Sequence, residues 1–100
     1  NMSIDFYFNT GYRRRDNNMI EIKLKFYSGL TEYIENYQIE EELTLKLGKN
    51  ESIRDIITRF IPVEKLKFIG LILVNKKFVN LDYIVQDRDK ISVLPLLNGG

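Results

Sequence analysis

Ser52-Ile53-Arg54-Asp55-Ile56-Ile57-Thr58-Arg59-Phe60-Ile61-Pro62 is the stretch on which the architecture turns. Ile53, Ile56, Ile57, Phe60 and Ile61 fall at i, i+3, i+4, i+7 and i+8, which predicts one apolar stripe of an amphipathic helix. Ser52 and Asp55 have the spacing of a capping box, directly after the turn Gly48-Lys49-Asn50-Glu51. Pro62 stops the helix, because an interior proline would lose a hydrogen bond and clash with the preceding turn. A single stripe of this kind covers one face of a sheet, so strands are expected on both sides of it.

They are there. Upstream, Ile20, Ile22, Leu24 and Phe26 alternate with Glu21, Lys23, Lys25 and Tyr27, the period-two pattern of a half-buried strand that ends at Ser28-Gly29. Leu43, Leu45 and Leu47 alternate with Thr44 and Lys46 as a second strand ending at Gly48. Between them, Leu30 to Gln38 has room for a helical turn, and the triplet Glu40-Glu41-Glu42 reads as an exposed lead-in or as a surface for a basic partner. Downstream, Ile69 to Val74 is a nearly continuous apolar run, expected to be covered on both faces or central in the sheet. Asn75-Lys76-Lys77 turns into a short strand at Phe78-Val79, Tyr83-Ile84-Val85 packs beneath a loop, and Asp87-Arg88-Asp89 leads into a last strand, Lys90 to Leu94.

The order strand, strand, helix, strand, short strand, strand predicts an α+β domain of the β-grasp type. A mixed sheet of four to five strands would pack on one main helix, with its other face wet. The domain is expected over residues 19–96, with 97–100 as a flexible tail. Residues 1–18 read differently: Ile4, Phe6 and Phe8 alternate briefly before Asn9-Thr10-Gly11 breaks the pattern, and Met19 then precedes a clean strand. An added leader or mobile extension accounts for this stretch; a native extra strand is the alternative.

Composition narrows the function. One hundred residues make a single domain, and 44% hydrophobic with 29% charged residues places it in the soluble globular class. The net charge of +1 provides no global field towards nucleic acid or an anionic membrane. Arg13-Arg14-Arg15, the one dense basic run, is explained more simply as a solvated arm than as a phosphate site. No apolar run approaches the roughly 20 residues that span a bilayer, and the start lacks a secretory signal's apolar centre, so the expected compartment is the cytoplasm. Without cysteine or histidine the chain has no thiol, no disulfide and neither of the commonest metal ligands. Thiol and imidazole catalysis are excluded, and a metal site held by those ligands with them. Any chemistry must use a carboxylate, a lysine or the backbone terminus, or be done by a partner.

Attention therefore falls on Leu94-Pro95-Leu96-Leu97-Asn98-Gly99-Gly100. Pro95 closes the last strand, and glycine lacks a Cβ, so Gly99-Gly100 could be threaded through a narrow passage with an unhindered carboxyl carbon. At roughly 3.3 Å per extended residue, Leu97 to Gly100 would reach on the order of 13 Å into a partner's pocket. An ordinary frayed terminus is the other reading.

The chain from Met19 to Gly100 resembles the MoaD/ThiS sulfur carriers of molybdopterin and thiamine biosynthesis, which are ubiquitin-like. The resemblance rests on Leu73-Val74-Asn75-Lys76-Lys77-Phe78-Val79, on Asp82, on Asp87-Arg88-Asp89-Lys90-Ile91-Ser92-Val93-Leu94-Pro95 and on Gly99-Gly100. These look like the family's asparagine hairpin, Gly-Asp turn, proline-containing last strand and Gly-Gly end. Arg88 stands where that turn usually has glycine, and Leu96 where MoaD-type members often have a second proline; Pro95 leans towards the MoaD branch, the small subunit of molybdopterin synthase.

The resemblance implies a carrier rather than an enzyme, with no catalytic residue, metal site or bound cofactor of its own. Gly100 would be adenylated by an E1-like enzyme of the MoeB/ThiF type that uses ATP, then converted to a thiocarboxylate, with Gly99 and Asn98 giving the tail access. Sulfur would pass on at a larger synthase subunit of the MoaE type, or at a thiazole synthase. Leu94, Pro95, Leu96 and Leu97 are the expected partner interface, although Leu94 is equally explained as strand core. Sulfur transfer to thiazole, cysteine or tRNA, and a ubiquitin-like modifier conjugated through Gly100, are the alternatives.

Overall fold

The computed structural model describes residues 19–38 and 40–97. Five strands form one sheet: β1 (Ile20–Phe26), β2 (Glu42–Leu47), β3 (Ile69–Val74), β4 (Lys77–Val79) and β5 (Lys90–Pro95). Their spatial order is β2-β1-β5-β3-β4, so the last strand in sequence lies in the middle. β5 runs parallel to β1 and antiparallel to β3, while β1 with β2 and β3 with β4 form antiparallel pairs. This is the mixed sheet of the β-grasp.

The alternation read in β1 is realised: Ile22, Leu24 and Phe26 are fully buried, and Glu21, Lys23 and Lys25 stand on the other face. Ile91 and Val93 of β5, Ile72 and Val74 of β3 and Leu47 of β2 join the same core. The opposite layer is the helical stripe, with Ile53, Ile56, Ile57 and Ile61 all buried and Phe60 packed against Phe26.

The regular α-helix, α1, is shorter than its stripe and spans Ile53–Ile57. Ser52 caps it, its hydroxyl accepting from Asp55 N at 3.1 Å. Two further N–H groups of the first turn are satisfied by a distant loop, Ile53 N by Tyr83 O and Arg54 N by Leu81 O. At the other end Thr58 Oγ1 donates to Arg54 O, which also accepts from Thr58 N, and to Asp55 O, the carbonyl that Arg59 N would meet in a continuing helix. The chain tightens accordingly, with i→i−3 bonds from Arg59 N and Phe60 N before Pro62. Phe60 and Ile61 still reach the core, which is why the apolar pattern extends beyond the helix.

Val63–Phe68 forms a 3-10 helix, as does Thr31–Tyr33 within the segment that had room for a helical turn. Of the two expectations for β3, the central position holds and the cover on both faces does not. β3 is an interior strand of the sheet, but only one of its faces is covered, and Leu71 is 48% exposed. A bulge interrupts the strand: Ile69 pairs with Pro95 and Leu71 with Leu94, leaving Gly70 as the extra residue. Ile69 therefore sits against the core while Leu71, two residues on, faces the open side.

Two turns feed β5 and its neighbours. Asn75 and Lys76, both left-handed (φ 53° and 74°), make the tight β3–β4 connection that the right-handed twist of a hairpin prefers. At Gln86–Asp89 the third residue, Arg88, has φ 73°. Glycine would adopt that conformation without strain, so the departure noted at Arg88 falls on a position that favours glycine.

Candidate functional site

The root of the C-terminal tail packs closely against two glycines. Gly29, in the turn after β1, has φ 104°, and a Cβ there would stand 3.1 Å from both Cβ and Cγ of Pro95. From the other side, a Cβ on Gly70 would lie 2.6 Å from Pro95 O and 2.8 Å from Leu96 Cα. Pro95 thus occupies a slot between two residues that lack a side chain. One residue later Leu96 N donates to Phe68 O at 2.6 Å, the last hydrogen bond from the strand region. Beyond it the chain turns outward: Leu96 is 57% exposed and Leu97 84%.

Aromatic and basic side chains flank this root. The Phe68 ring stacks on Tyr33 at 6.0 Å with 17° between the planes, and Lys65 Nζ lies 5.2 Å from the Tyr33 centroid and 5.5 Å from that of Phe68. Lys67 Nζ is 5.4 Å from the Phe68 centroid. Burial, together with the neighbouring Glu32 carboxylate, pushes the Tyr33 phenol above its ordinary range.

The open face of the sheet divides into two halves. On β3, β4 and β5 it is apolar: Leu71 pairs with Leu94, Leu73 stands between Ser92 and Phe78, and Phe78 is 73% exposed. On β1 and β2 it is charged, with Lys46 3.3 Å from Glu21 and Lys90 of β5 3.9 Å from Glu42. The apolar half is continuous along β5 with the outward-facing Leu96 and Leu97. A contiguous apolar area on a small soluble domain marks a contact surface more often than chance.

Among the residues expected at the site, Leu94 and Pro95 are half-buried, Leu94 on the open face and Pro95 in the glycine slot, while Leu96 and Leu97 are exposed. Asn98, Gly99 and Gly100 lie outside the described residues, as does the reading of residues 1–18. Leu71, Leu73 and Phe78 were not singled out from the sequence, because strand alternation says which residues share a face but not which face is covered. Gly70 gave a usable signal: a glycine inside an apolar strand marks a bulge or a close backbone approach.

Among the described residues no group of three or more histidine, cysteine, aspartate or glutamate side chains could hold a metal ion, and no helix is long and apolar enough to cross a membrane. A family model described as Mut7-C ubiquitin matches residues 19–99. The chain belongs to that family. Its ubiquitin-like fold recurs in solved structures of low sequence identity. A Pyrococcus furiosus protein assigned as molybdopterin converting factor, subunit 1, is 21% identical, with a TM-score of 0.56 over 78% of this chain and 99% of that one. The small archaeal modifier protein 1 of Methanosarcina acetivorans is 24% identical, with a TM-score of 0.55 over 82% of this chain and 98% of that one. Its Haloferax volcanii counterpart, SAMP1, is 14% identical, with a TM-score of 0.57 over 80% and 99%. No curated protein matches.

Proposed function

We propose that this Mut7-C ubiquitin domain is a sulfur carrier of the MoaD/ThiS type that works through Gly100, in the cytoplasm, and that molybdopterin synthesis is its pathway. The observation that carries this reading is the Gly29–Pro95–Gly70 slot: the tail leaves the domain at a fixed point, beside an apolar sheet face, with Leu96 and Leu97 already in solvent. The globule supplies docking and reach, and the chemistry belongs to the partners.

In the first step the Gly100 carboxylate attacks the α-phosphorus of ATP held by an E1-like enzyme, and pyrophosphate leaves. Oxide is a poor leaving group from a carboxylate, whereas AMP is a good one. The terminal sulfur of a cysteine persulfide on the partner machinery then attacks the acyl carbon and displaces AMP. A second thiol cleaves the resulting acyl disulfide, leaving the thiocarboxylate on Gly100 and a disulfide on the enzyme. Docking of Leu71, Leu73, Phe78 and Leu94 against a larger synthase subunit would place that sulfur at the acceptor.

Intact-mass measurement on protein from the native host tests the reading. Replacement of one oxygen by sulfur at a chain ending in Gly100 is expected; a chain continuing past Gly100, or a terminus inert to an activating enzyme and ATP, would overturn it. Conjugation is the second reading, supported by the fold shared with small archaeal modifier proteins. It predicts instead a ladder of covalent adducts in which the Gly100 carbonyl is joined to lysine side chains.

A further inference from the structure

The sheet has one long edge with no neighbour among the described residues. β4, at one side, is only three residues long, begins with Lys77 and follows Lys76, which discourages pairing. β2, at the other side, is six residues long. It carries no proline and no bulge in its pairing with β1, and its outer backbone groups are left without a strand. Leu43 and Leu45, on the core side of this edge, remain only half-buried.

The sequence of that edge is complementary to itself. Glu42-Leu43-Thr44-Leu45-Lys46, laid antiparallel on a second copy with Thr44 facing Thr44, sets Glu42 opposite Lys46 and Lys46 opposite Glu42. On the open face this gives two opposite-charge pairs around a threonine pair, each of the kind that stabilises antiparallel strands. On the core face it joins Leu43 of one copy to Leu45 of the other, twice, and covers the surface both leave exposed. The charges are available: among the described residues Glu42 and Lys46 are engaged in exposed pairs with Lys90 and Glu21, which are weak and easily rearranged.

We propose that the β2 edge is a homodimer interface, in which two copies pair antiparallel about a twofold axis at Thr44 and their five-stranded sheets become one continuous sheet. The apolar patch lies on β3, β4 and β5, away from this edge, so both patches and both tails stay open. The inference is independent of the tail chemistry, and removing Gly100 leaves the dimer intact.

Crosslinking is decisive because the chain has no cysteine. Directly opposed residues of an antiparallel pair have Cα atoms about 4.5 to 5.5 Å apart, within disulfide range. Full-length Thr44→Cys is expected to form a covalent dimer under mild oxidation much faster than the control Asp55→Cys, on the exposed helix surface. In sedimentation velocity across a concentration series, Glu42→Lys or Lys46→Glu alone should each raise the half-dimerisation concentration about tenfold, since each turns two attractive pairs into repulsive ones. The double swap should restore it, and circular dichroism checks that all variants remain folded. A monomer at every concentration, a dimer indifferent to the swaps, or Thr44→Cys no faster than Asp55→Cys would overturn the proposal.

Discussion

Asn75 and Asp89 hold two separate turns together: Asn75 Nδ2 donates to Asp89 Oδ1 at 2.9 Å, while Asn75 Oδ1 accepts from Lys90 N at 2.9 Å. Asp89 is buried, and its other oxygen accepts from Tyr83 Oη and from Gln86 N, both at 2.8 Å. One carboxylate therefore ties the β3–β4 hairpin, the loop carrying Tyr83 and the start of β5. Asp89→Ala leaves three donors without their acceptor and should cost about 3 kcal/mol. Urea unfolding measures it, and a loss below about 1 kcal/mol would mean that water replaces the carboxylate.

Arg88 should be improvable. Its side chain is exposed and its φ is 73°, where a Cβ costs roughly 1 to 2 kcal/mol. Part of the gain from Arg88→Gly is offset by the freer unfolded chain, leaving about 0.5 to 1 kcal/mol of stabilisation and a rise of a few degrees in Tm. The amide of residue 88 still donates to Glu21 O, so the turn itself is kept.

Gly70→Ala should act in the opposite direction. The added methyl would meet Pro95 O and Leu96 Cα well inside contact distance, and both are backbone atoms that cannot rotate away. A loss of about 1 to 3 kcal/mol is expected, with faster hydrogen exchange at Leu96 N as the bond to Phe68 O loosens. An unchanged exchange rate there would show that the slot does not fix the tail's point of departure.

Stability should fall on the alkaline side. Burial raises the phenols of Tyr37 and Tyr83 above their ordinary 10.0; at Tyr83 the hydrogen bond to Asp89 adds to the rise, and at Tyr37 one to Phe26 partly offsets it. Each phenol holds its proton more tightly in the folded state. Their contribution is therefore complete below about pH 10 and is lost as pH climbs through the folded values. Denaturant midpoints measured on either side of pH 10 check the sign, and Tyr83→Phe should flatten the decline while lowering stability at neutral pH.

Phe78→Ala should separate docking from folding. The ring is mostly solvated on the open face, so stability should change by no more than about 0.5 kcal/mol. Adenylation by an activating enzyme, followed as pyrophosphate release, should fall through weaker binding if that face is the docking surface. An unchanged rate would remove β4 from it.

Much of this was legible in the residues. The alternation of Ile22, Leu24 and Phe26 and the stripe of Ile53, Ile56, Ile57 and Ile61 led to the two layers, because burial dictates both periods. The length of α1 was not legible, since Thr58 diverts carbonyls while Phe60 and Ile61 keep their places in the pattern. Gly70 signalled an irregularity, but its consequence was not legible: the bulge reverses the side on which Ile69 lies relative to Leu71, as the pairing with Pro95 and Leu94 shows. The apolar patch followed the same logic, as a strand's sequence cannot say which of its faces a helix will choose.

The central position of β5 has a mechanical consequence. A force applied to the tail would run along this strand and load the ladders to β1 and β3 together, in shear, so that many bonds share the strain before any yields. Traction from the C-terminal end would therefore not peel the globule apart one bond at a time.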